Sequence, residues 1–225
     1  IACWNGSNWS GLGTGTNAAV AALAVLPGGD LVACGSFSVA GGVSANRLAR
    51  WAGAARAPLG AGLGAGLGLA LRGLANGDLV AGGSFTSAGD VQAVGVARWD
   101  GAAWSAVGAG ILGRVHALAI LPSGDLIAAG NFNTAGSGPG NYIARWDGAV
   151  WAGLGAGMNH WVNTLAVLPG GDLVAGGMFT AADGAPVSRI ARWDSVSWSA
   201  LGSGTGGRGG TLASPPQGDP GGGGV

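Results

Sequence analysis

The sequence predicts an all-β protein assembled from repeated units, and two observations carry this prediction. The phrase GDLVAGGMF at residues 171–179 recurs with small changes three times earlier in the chain. A fixed period of this length is the signature of a repeat architecture. Paired glycines and β-branched runs interrupt any helical period, so the units are not helical. The repeated Asp residues lie 48, 47 and 47 residues apart, at Asp30, Asp78, Asp125 and Asp172.

Each unit divides into four short strands. In the last unit these are VNTLAVL, DLVAGGMF, RIARWD and WSALG, in that order. Gly-Gly, Ser-Gly or Asn-Gly precedes the Asp of each unit, which predicts a two-residue hairpin turn between the first and second strands. Four strands in a unit of this length match one blade of a β-propeller.

The repeats predict a single propeller domain over residues 1–225, most simply with five blades. Residues 1–19 contain only a third and a fourth strand, and residues 211–225 align without a gap with residues 164–178 of the last unit. The two ends together would complete a closing blade, and we expect the tail to pair with the N-terminal strands. The complete blades are residues 20–66, 67–114, 115–161 and 162–208.

The tail also carries residues that oppose this prediction. Pro215 and Pro220 stand where the preceding unit has leucine. Because proline cannot donate to a ladder, residues 209–225 are predicted to form degenerate strands. The alternative is that the chain is a piece of a larger array.

The repeated motif resembles the kelch motif, in which two glycines are followed by an aromatic residue and Asp and then by Trp. The amino-acid sequence of the motif is similar to that of kelch-like repeats of bacterial secreted proteins and of fungal cortical polarity-marker proteins. The resemblance spans nearly the whole chain and implies a propeller, but such repeats host many functions. Departures from it include Arg56, which replaces the second Trp, and Ala129, which replaces the first Gly. The matching residues include Gly82, Gly83, Trp99, Asp100 and Trp104, and Gly176, Gly177, Trp193, Asp194 and Trp198.

Charge excludes several classes of partner. All 10 basic residues are Arg, all 10 acidic residues are Asp, and the net charge is +0. We therefore expect no nucleic-acid partner, and the lack of an apolar run of about 18 residues predicts no membrane insertion. The chain opens without Met inside a repeat, so we expect that an upstream segment was removed. We expect a monomer located outside the cell or on its surface.

The two cysteines leave two alternatives open. Cys3 and Cys34 have neither the spacing of metal ligands nor enough partners for a disulfide framework. Two buried free thiols are the favoured prediction, and a disulfide between them is the alternative.

No catalytic, cofactor or metal site is predicted. His116 and His160 occupy non-equivalent positions of the repeat, and Glu is absent. No serine lies in a nucleophile elbow, and no glycine-rich phosphate loop precedes a helix. Copper radical oxidases also carry kelch-like blades, but their chemistry requires several Tyr, and Tyr142 is the single Tyr here. Such an activity could reside only elsewhere in a parent protein.

The repeated Trp, Arg and Asp residues are assigned to the scaffold. Tryptophans at the same point of each unit are expected to fill the space between stacked sheets. The Arg that precedes the third-strand Trp is expected to form an ion pair within its own blade, and the Asp that follows Gly is expected at a turn. A ring of ligand-binding arginines is the alternative for Arg50, Arg98, Arg145 and Arg192.

The loops vary while the strands repeat, so binding is expected on the loop face. Asn159, His160 and Trp161 interrupt an otherwise small and apolar junction and form the candidate partner-binding site. The alternative for Trp161 is an inward side chain that fills a gap between blades. The predicted function is a non-catalytic protein-interaction module of a secreted or surface protein. A glycan-binding, lectin-like propeller and the non-catalytic propeller portion of a larger secreted enzyme are the alternatives.

Overall fold

All regular structure in the described part of the chain is β. The computed structural model describes residues 1–53, 55–57, 59–206 and 212. Within these residues there are 25 strands in small antiparallel sheets, and no helix. No helix long and apolar enough to cross a membrane therefore occurs in this part. The prediction of an all-β chain is confirmed.

The strands form an N-terminal pair followed by four similar groups. The pair is β1 (Ala2–Trp4) and β2 (Trp9–Gly11). The first group is β3 (Val20–Val25), β4 (Leu31–Gly35), β5 (Val39–Ala40), β6 (Val43–Ser44), β7 (Leu48–Ala52) and β8 (Ala55–Ala57). The second is β9 (Gly68–Gly73), β10 (Leu79–Gly83), β11 (Ser87–Ala88), β12 (Val91–Gln92), β13 (Val96–Trp99) and β14 (Trp104–Ala106). The third is β15 (Ile111–Ile120), β16 (Leu126–Ala135), β17 (Gly138–Pro139), β18 (Ile143–Trp146) and β19 (Trp151–Gly153). The fourth is β20 (Val162–Val167), β21 (Leu173–Gly177), β22 (Ala181–Ala182), β23 (Ala185–Pro186), β24 (Ile190–Trp193) and β25 (Trp198–Ala200).

Each group contributes one antiparallel sheet with its four main strands in chain order. The sheets are β3-β4-β7-β8, β9-β10-β13-β14, β15-β16-β18-β19 and β20-β21-β24-β25. The four strands expected in each unit are therefore present. β15 begins at Ile111, inside the segment assigned to the preceding unit, because its pairing with the long β16 extends as far as Ala135, with two shifts of register.

The hairpin turns between first and second strands differ from the prediction. The N–H of Leu168 donates to the carbonyl of Asp172 at 2.8 Å, and the N–H of Gly171 donates to the carbonyl of Leu168 at 2.8 Å. This closes a loop of three residues, and only the second glycine has a positive φ, 94° at Gly171. The predicted two-residue turn is wrong, since its type I′ form needs two successive residues with positive φ.

The loop between second and third strands folds back as a two-residue ladder. These ladders are β5–β6, β11–β12, β22–β23 and the pairing of β17 with β16. Each ladder meets the junction that enters its own group, through bridges such as that between Met158 and Ala182. Junctions and loops therefore lie side by side.

The four sheets contact one another through their first strands, in the order β3, β9, β15 and β20. The core lies between successive sheets, and most of the repeated tryptophans fill it. That prediction is confirmed where a preceding group of strands is present, but Trp4 and Trp9 of the N-terminal pair are 50% and 70% exposed. The buried tryptophans are Trp51, Trp99, Trp104, Trp151, Trp193 and Trp198.

The arginines of the third strands form ion pairs within their own units. Arg192 Nε donates to Asp172 Oδ2 at 2.8 Å, and Arg145 Nε lies 3.1 Å from Asp125 Oδ2. Arg50 pairs with Asp30 and Arg98 with Asp78 in the same way. Each Asp therefore serves both the turn and the ion pair. Because the arginines are partly exposed, each pair contributes about 0–1 kcal/mol.

The predicted closing strands in residues 209–225 lie outside the described residues apart from Leu212. The N–H of Leu212 donates to Thr164 Oγ1 of β20 at 3.1 Å. Leu212 therefore lies beside the first strand of the fourth group.

Both cysteines are free, as the favoured prediction held, but only one is buried. Cys3 is exposed on the N-terminal pair, so the prediction of burial is wrong there. Cys34 packs in the core, and burial raises its pKa to about 12. The pKa shift keeps Cys34 a protonated thiol at neutral pH, which is the unreactive form.

Ellman's reagent should therefore react with one thiol per folded chain, and the Cys3→Ser variant should not react. In denaturant the wild-type chain should show both thiols. Two reactive thiols in the folded chain would contradict the burial of Cys34.

A second set of Asp residues caps the turns between third and fourth strands. Asp194 Oδ1 accepts the N–H groups of Ser197 and Val196, at 2.8 and 2.9 Å. These hydrogen bonds, the one from Ser197 first, lower the pKa of Asp194 below 3.8, and Arg192 adds a smaller effect. The pKa values of Asp100 and Asp147 are lowered in the same way, each by two backbone N–H groups of its own turn.

A depressed folded-state pKa stabilises the fold above the unfolded-state pKa, and this contribution is lost as the pH falls through the folded value. Asn5 makes the same turn hydrogen bonds in the N-terminal pair, so Asn is a matched replacement. As the pH falls from about 7 to about 2, the free energy of unfolding should decrease less in the triple variant than in wild type. This variant carries Asp100→Asn, Asp147→Asn and Asp194→Asn. Urea unfolding midpoints across this range measure it, and parallel pH curves would refute it.

Candidate functional site

Asn159, His160 and Trp161 lie on the segment that joins the third group of strands to the fourth. Met158, just before them, is buried and forms a bridge to Ala182 in the loop of the fourth group. β20 begins directly after them. The segment is therefore fixed at both ends.

The Asn159 amide is engaged by the scaffold. Its Oδ1 accepts the N–H groups of Thr180 and Ala181 at 2.8 and 3.0 Å, and its Nδ2 donates to Thr180 Oγ1 at 3.0 Å. Asn17 makes the same three hydrogen bonds at the first junction. Asn159 therefore positions the junction against the neighbouring loop, although its side chain remains exposed.

His160 and Trp161 form a local aromatic pair on the surface. The N–H of Trp161 donates to His160 Nδ1 at 2.8 Å, and the two ring centroids lie 5.2 Å apart. Trp161 is 38% exposed. The interpretation of Trp161 as an inward gap-filler does not fit this exposure.

Sequence reasoning missed Tyr142 as a third member of this surface. The Tyr142 and His160 rings stack with centroids 6.2 Å apart and an interplanar angle of 10°. Tyr142 belongs to the loop before β18, and its φ is 69°. The preceding Asn141 holds this loop by donating from Nδ2 to the Ala156 carbonyl at 2.9 Å. We call Tyr142, His160 and Trp161 the aromatic surface.

Backbone contacts at the end of each second strand fix both segments under the aromatic surface. The N–H of Gly130 donates to the Tyr142 carbonyl at 3.0 Å, and the N–H of Met178 donates to the Trp161 carbonyl at 2.8 Å. A Cβ on Gly177 would collide with the carbonyl oxygen of Trp161. The equivalent glycines Gly35, Gly83 and Gly130 face the carbonyls of Ala19, Leu67 and Arg114 in the same way.

This register shows which side chains vary on a constant backbone. The position of Trp161 holds Ala19, Leu67 and Arg114 in the other groups. In each group the N–H of the second-strand glycine donates to a backbone carbonyl before the third strand. That carbonyl belongs to Tyr142 in the third group and to Arg47, Gly95 and Arg189 in the others, so these four positions are equivalent. Within the described residues, three aromatic rings meet only at the junction between the third and fourth groups.

A cavity of about 430 Å³ is lined by the first strands of all four sheets. His116 and Asn163 on its wall share a side-chain hydrogen bond. Burial lowers the pKa of His116, Arg114 adds to this, and the bond to Asn163 opposes it. The remaining described lining is mostly aliphatic side chains, together with Thr164. Its lining is residues 21–23, 69–71, 116–118, 163–165 and 212.

No metal centre is assembled in the described part of the chain. Within it, no group of three or more His, Cys or Asp residues is placed to hold an ion. The four repeated arginines point to the Asp of their own units rather than to a shared ligand site.

The Trp161→Ala variant should therefore lose about 1 kcal/mol of unfolding free energy or less, as is usual for a partly exposed side chain. Trp198→Ala is the matched control, because Trp198 is 5% exposed and its loss should cost about 3–5 kcal/mol. Urea unfolding of both variants measures the difference. Equal losses would place Trp161 in the core and remove it from the candidate site.

Comparison with known proteins does not extend this assignment. No protein-family model matches the chain, and no curated protein matches it. The function is therefore inferred from the geometry of the described residues.

Proposed function

We propose that the chain is a five-bladed propeller of kelch-like repeats, in which the four sheets are blades and β1 and β2 are the outer strands of a fifth. The common strand order of the sheets supports this, as do their consecutive contacts and the cavity that all four first strands line. Trp4 pairs with Trp9 across β1 and β2 as Trp99 pairs with Trp104 across β13 and β14.

The propeller acts as a non-catalytic protein-interaction module of a secreted or surface protein, and it is monomeric. Its binding site is the aromatic surface on the variable-loop face. The observation that carries this proposal is the exposure of Trp161, stacked through His160 towards Tyr142, on segments that the scaffold holds by hydrogen bonds. Trp and Tyr are the residues most enriched among interface hot spots.

Rigidity makes this surface suited to binding. Both segments are fixed by backbone contacts, and Asn159 and Asn141 anchor them by side-chain hydrogen bonds. Because the segments are already ordered, binding incurs little additional loss of conformational entropy.

A protein partner is favoured over a glycan by the distribution of the aromatic residues. A lectin with one pocket per blade repeats its binding residues in each unit. The positions equivalent to Trp161 instead hold Ala19, Leu67 and Arg114. One specific observation favours a glycan: the flat, stacked rings of Tyr142 and His160 match the apolar face of a sugar ring.

The test is capture by the immobilised chain from the secreted and surface fractions of its source cells. A partner of this site should be retained by wild type and by Arg114→Ala, which changes the equivalent position of the preceding junction. It should be lost with Trp161→Ala and with Tyr142→Ala. Titration of the purified partner should show Kd raised about 30-fold by loss of a hot-spot side chain.

A glycan array with the same four proteins separates the alternatives. Sugar binding that depends on Trp161 would replace the protein partner by a glycan. Capture that is insensitive to both Trp161→Ala and Tyr142→Ala, together with an empty array, would refute the aromatic surface as the site.

A further inference from the structure

One hydrogen bond recurs wherever two complete units meet. The indole N–H of the fourth-strand Trp donates to a backbone carbonyl just after the last strand of the preceding unit. The Trp104 indole bonds to the Leu59 carbonyl at 3.0 Å, and its ring lies against Gly60. The other two instances are Trp151 to Val107 at 2.9 Å and Trp198 to Leu154 at 3.0 Å.

At the start of the chain, this donor is present without its acceptor. Trp4 and Trp9 have ring centroids 5.5 Å apart at 45°, close to the 5.5 Å and 51° of Trp99 and Trp104. Trp9 is nevertheless 70% exposed, whereas its equivalent Trp104 is 5% exposed. The pair is thus arranged for a contact that no described residue makes.

At the other end of the array, the acceptor is present without its donor. Leu201 is 39% exposed, whereas its equivalents Leu59 and Leu154 are 2% and 3% exposed. No atom would lie within 4 Å of a Cβ on Gly202, the position at which Gly60 meets a tryptophan ring. The Leu201–Gly202 corner therefore lacks a covering Trp pair.

The first and the last complete unit lie close enough to share one cavity. β3 of the first complete unit and β20 of the last line the same cavity of about 430 Å³, so the array has already turned back on itself. Leu212 lies beside β20 and lines that cavity too. A head-to-tail contact closes as a ring when its rotation returns to the start, and otherwise continues into further copies.

We propose that the face formed by Trp4 and Trp9 docks on the Leu201–Gly202 corner of the same chain, with the Trp9 indole N–H donating to the Leu201 carbonyl. This contact adds a fourth instance of the inter-unit bond. It rests on the five-unit ring of the proposed function but not on the aromatic surface, so the two can fail separately.

Exchange of the indole protons tests the contact directly. In the chain labelled with ¹⁵N at its 10 tryptophans, Trp9→Phe and Trp104→Phe identify two of the indole signals. The Trp9 indole proton should exchange with solvent as slowly as that of Trp104, and much more slowly than that of the exposed Trp161. The protection should be the same in dilute and in concentrated samples of monomeric mass.

The melting temperature gives an independent readout. Trp9→Phe should lower Tm by about 2–4 °C, as should Trp104→Phe, because each removes one inter-unit hydrogen bond. Trp161→Phe is the control and should leave Tm nearly unchanged. Fast exchange at Trp9 together with an unchanged Tm would overturn the proposal. Protection that appears only as the mass rises to that of a dimer would also overturn it, in favour of a second copy.

Discussion

The contact between a tryptophan of one unit and a carbonyl of its neighbour is the constraint on which the rest of the structure depends. A four-stranded sheet of this size cannot bury both faces alone, so stability comes from the interfaces between units. The two tryptophans of a unit stabilise the interface in different ways. Trp99 supplies apolar area, and its Nε1 is buried without a partner among the described residues. Trp104 supplies direction, because its buried N–H must meet an acceptor and finds the Leu59 carbonyl. Since such a bond is directional, it sets how each sheet is placed on the next.

A second constraint connects the scaffold to the candidate site. The second glycine of each Gly-Gly pair leaves room for the carbonyl of the junction that enters the unit, and Gly177 receives Trp161 in this way. The first glycine is under less constraint, which is why Ala129 can replace it in the third group. The backbone at Trp161 is therefore fixed by residues that repeat, while its side chain is free to differ from unit to unit.

The sequence predicted the parts of this molecule that depend on local pattern. The length of the repeated unit was predicted from the spacing of Asp30, Asp78, Asp125 and Asp172. The four strands of each unit were predicted from the strand-like runs between turn residues. The partner of each arginine could not be predicted, because Arg192 reaches Asp172 across a sheet 20 residues away, at a distance set by register. The hairpin loop was predicted one residue too short, since Gly-Gly suits both turn types and only hydrogen bonding separates them. Tyr142 was missed because its contact with His160 arises between two loops. The role of Asn159, by contrast, was available from its alignment with Asn17.

At two positions of the repeat the side chain varies while the backbone contacts stay the same. At the position of Tyr142, the chain uses Arg47, Gly95 and Arg189 in the other units, yet the backbone carbonyl accepts the same hydrogen bond each time. At the position of Trp161, the carbonyl makes the same close approach whether the residue is Ala19, Leu67 or Arg114. The side chain at either position can thus vary without changing the packing of the fold, and it can contact molecules in solution. The aromatic surface arises where two such positions lie side by side, and the scaffold keeps them rigid. The repeat therefore separates the residues that hold the units together from those that can give one face its specificity.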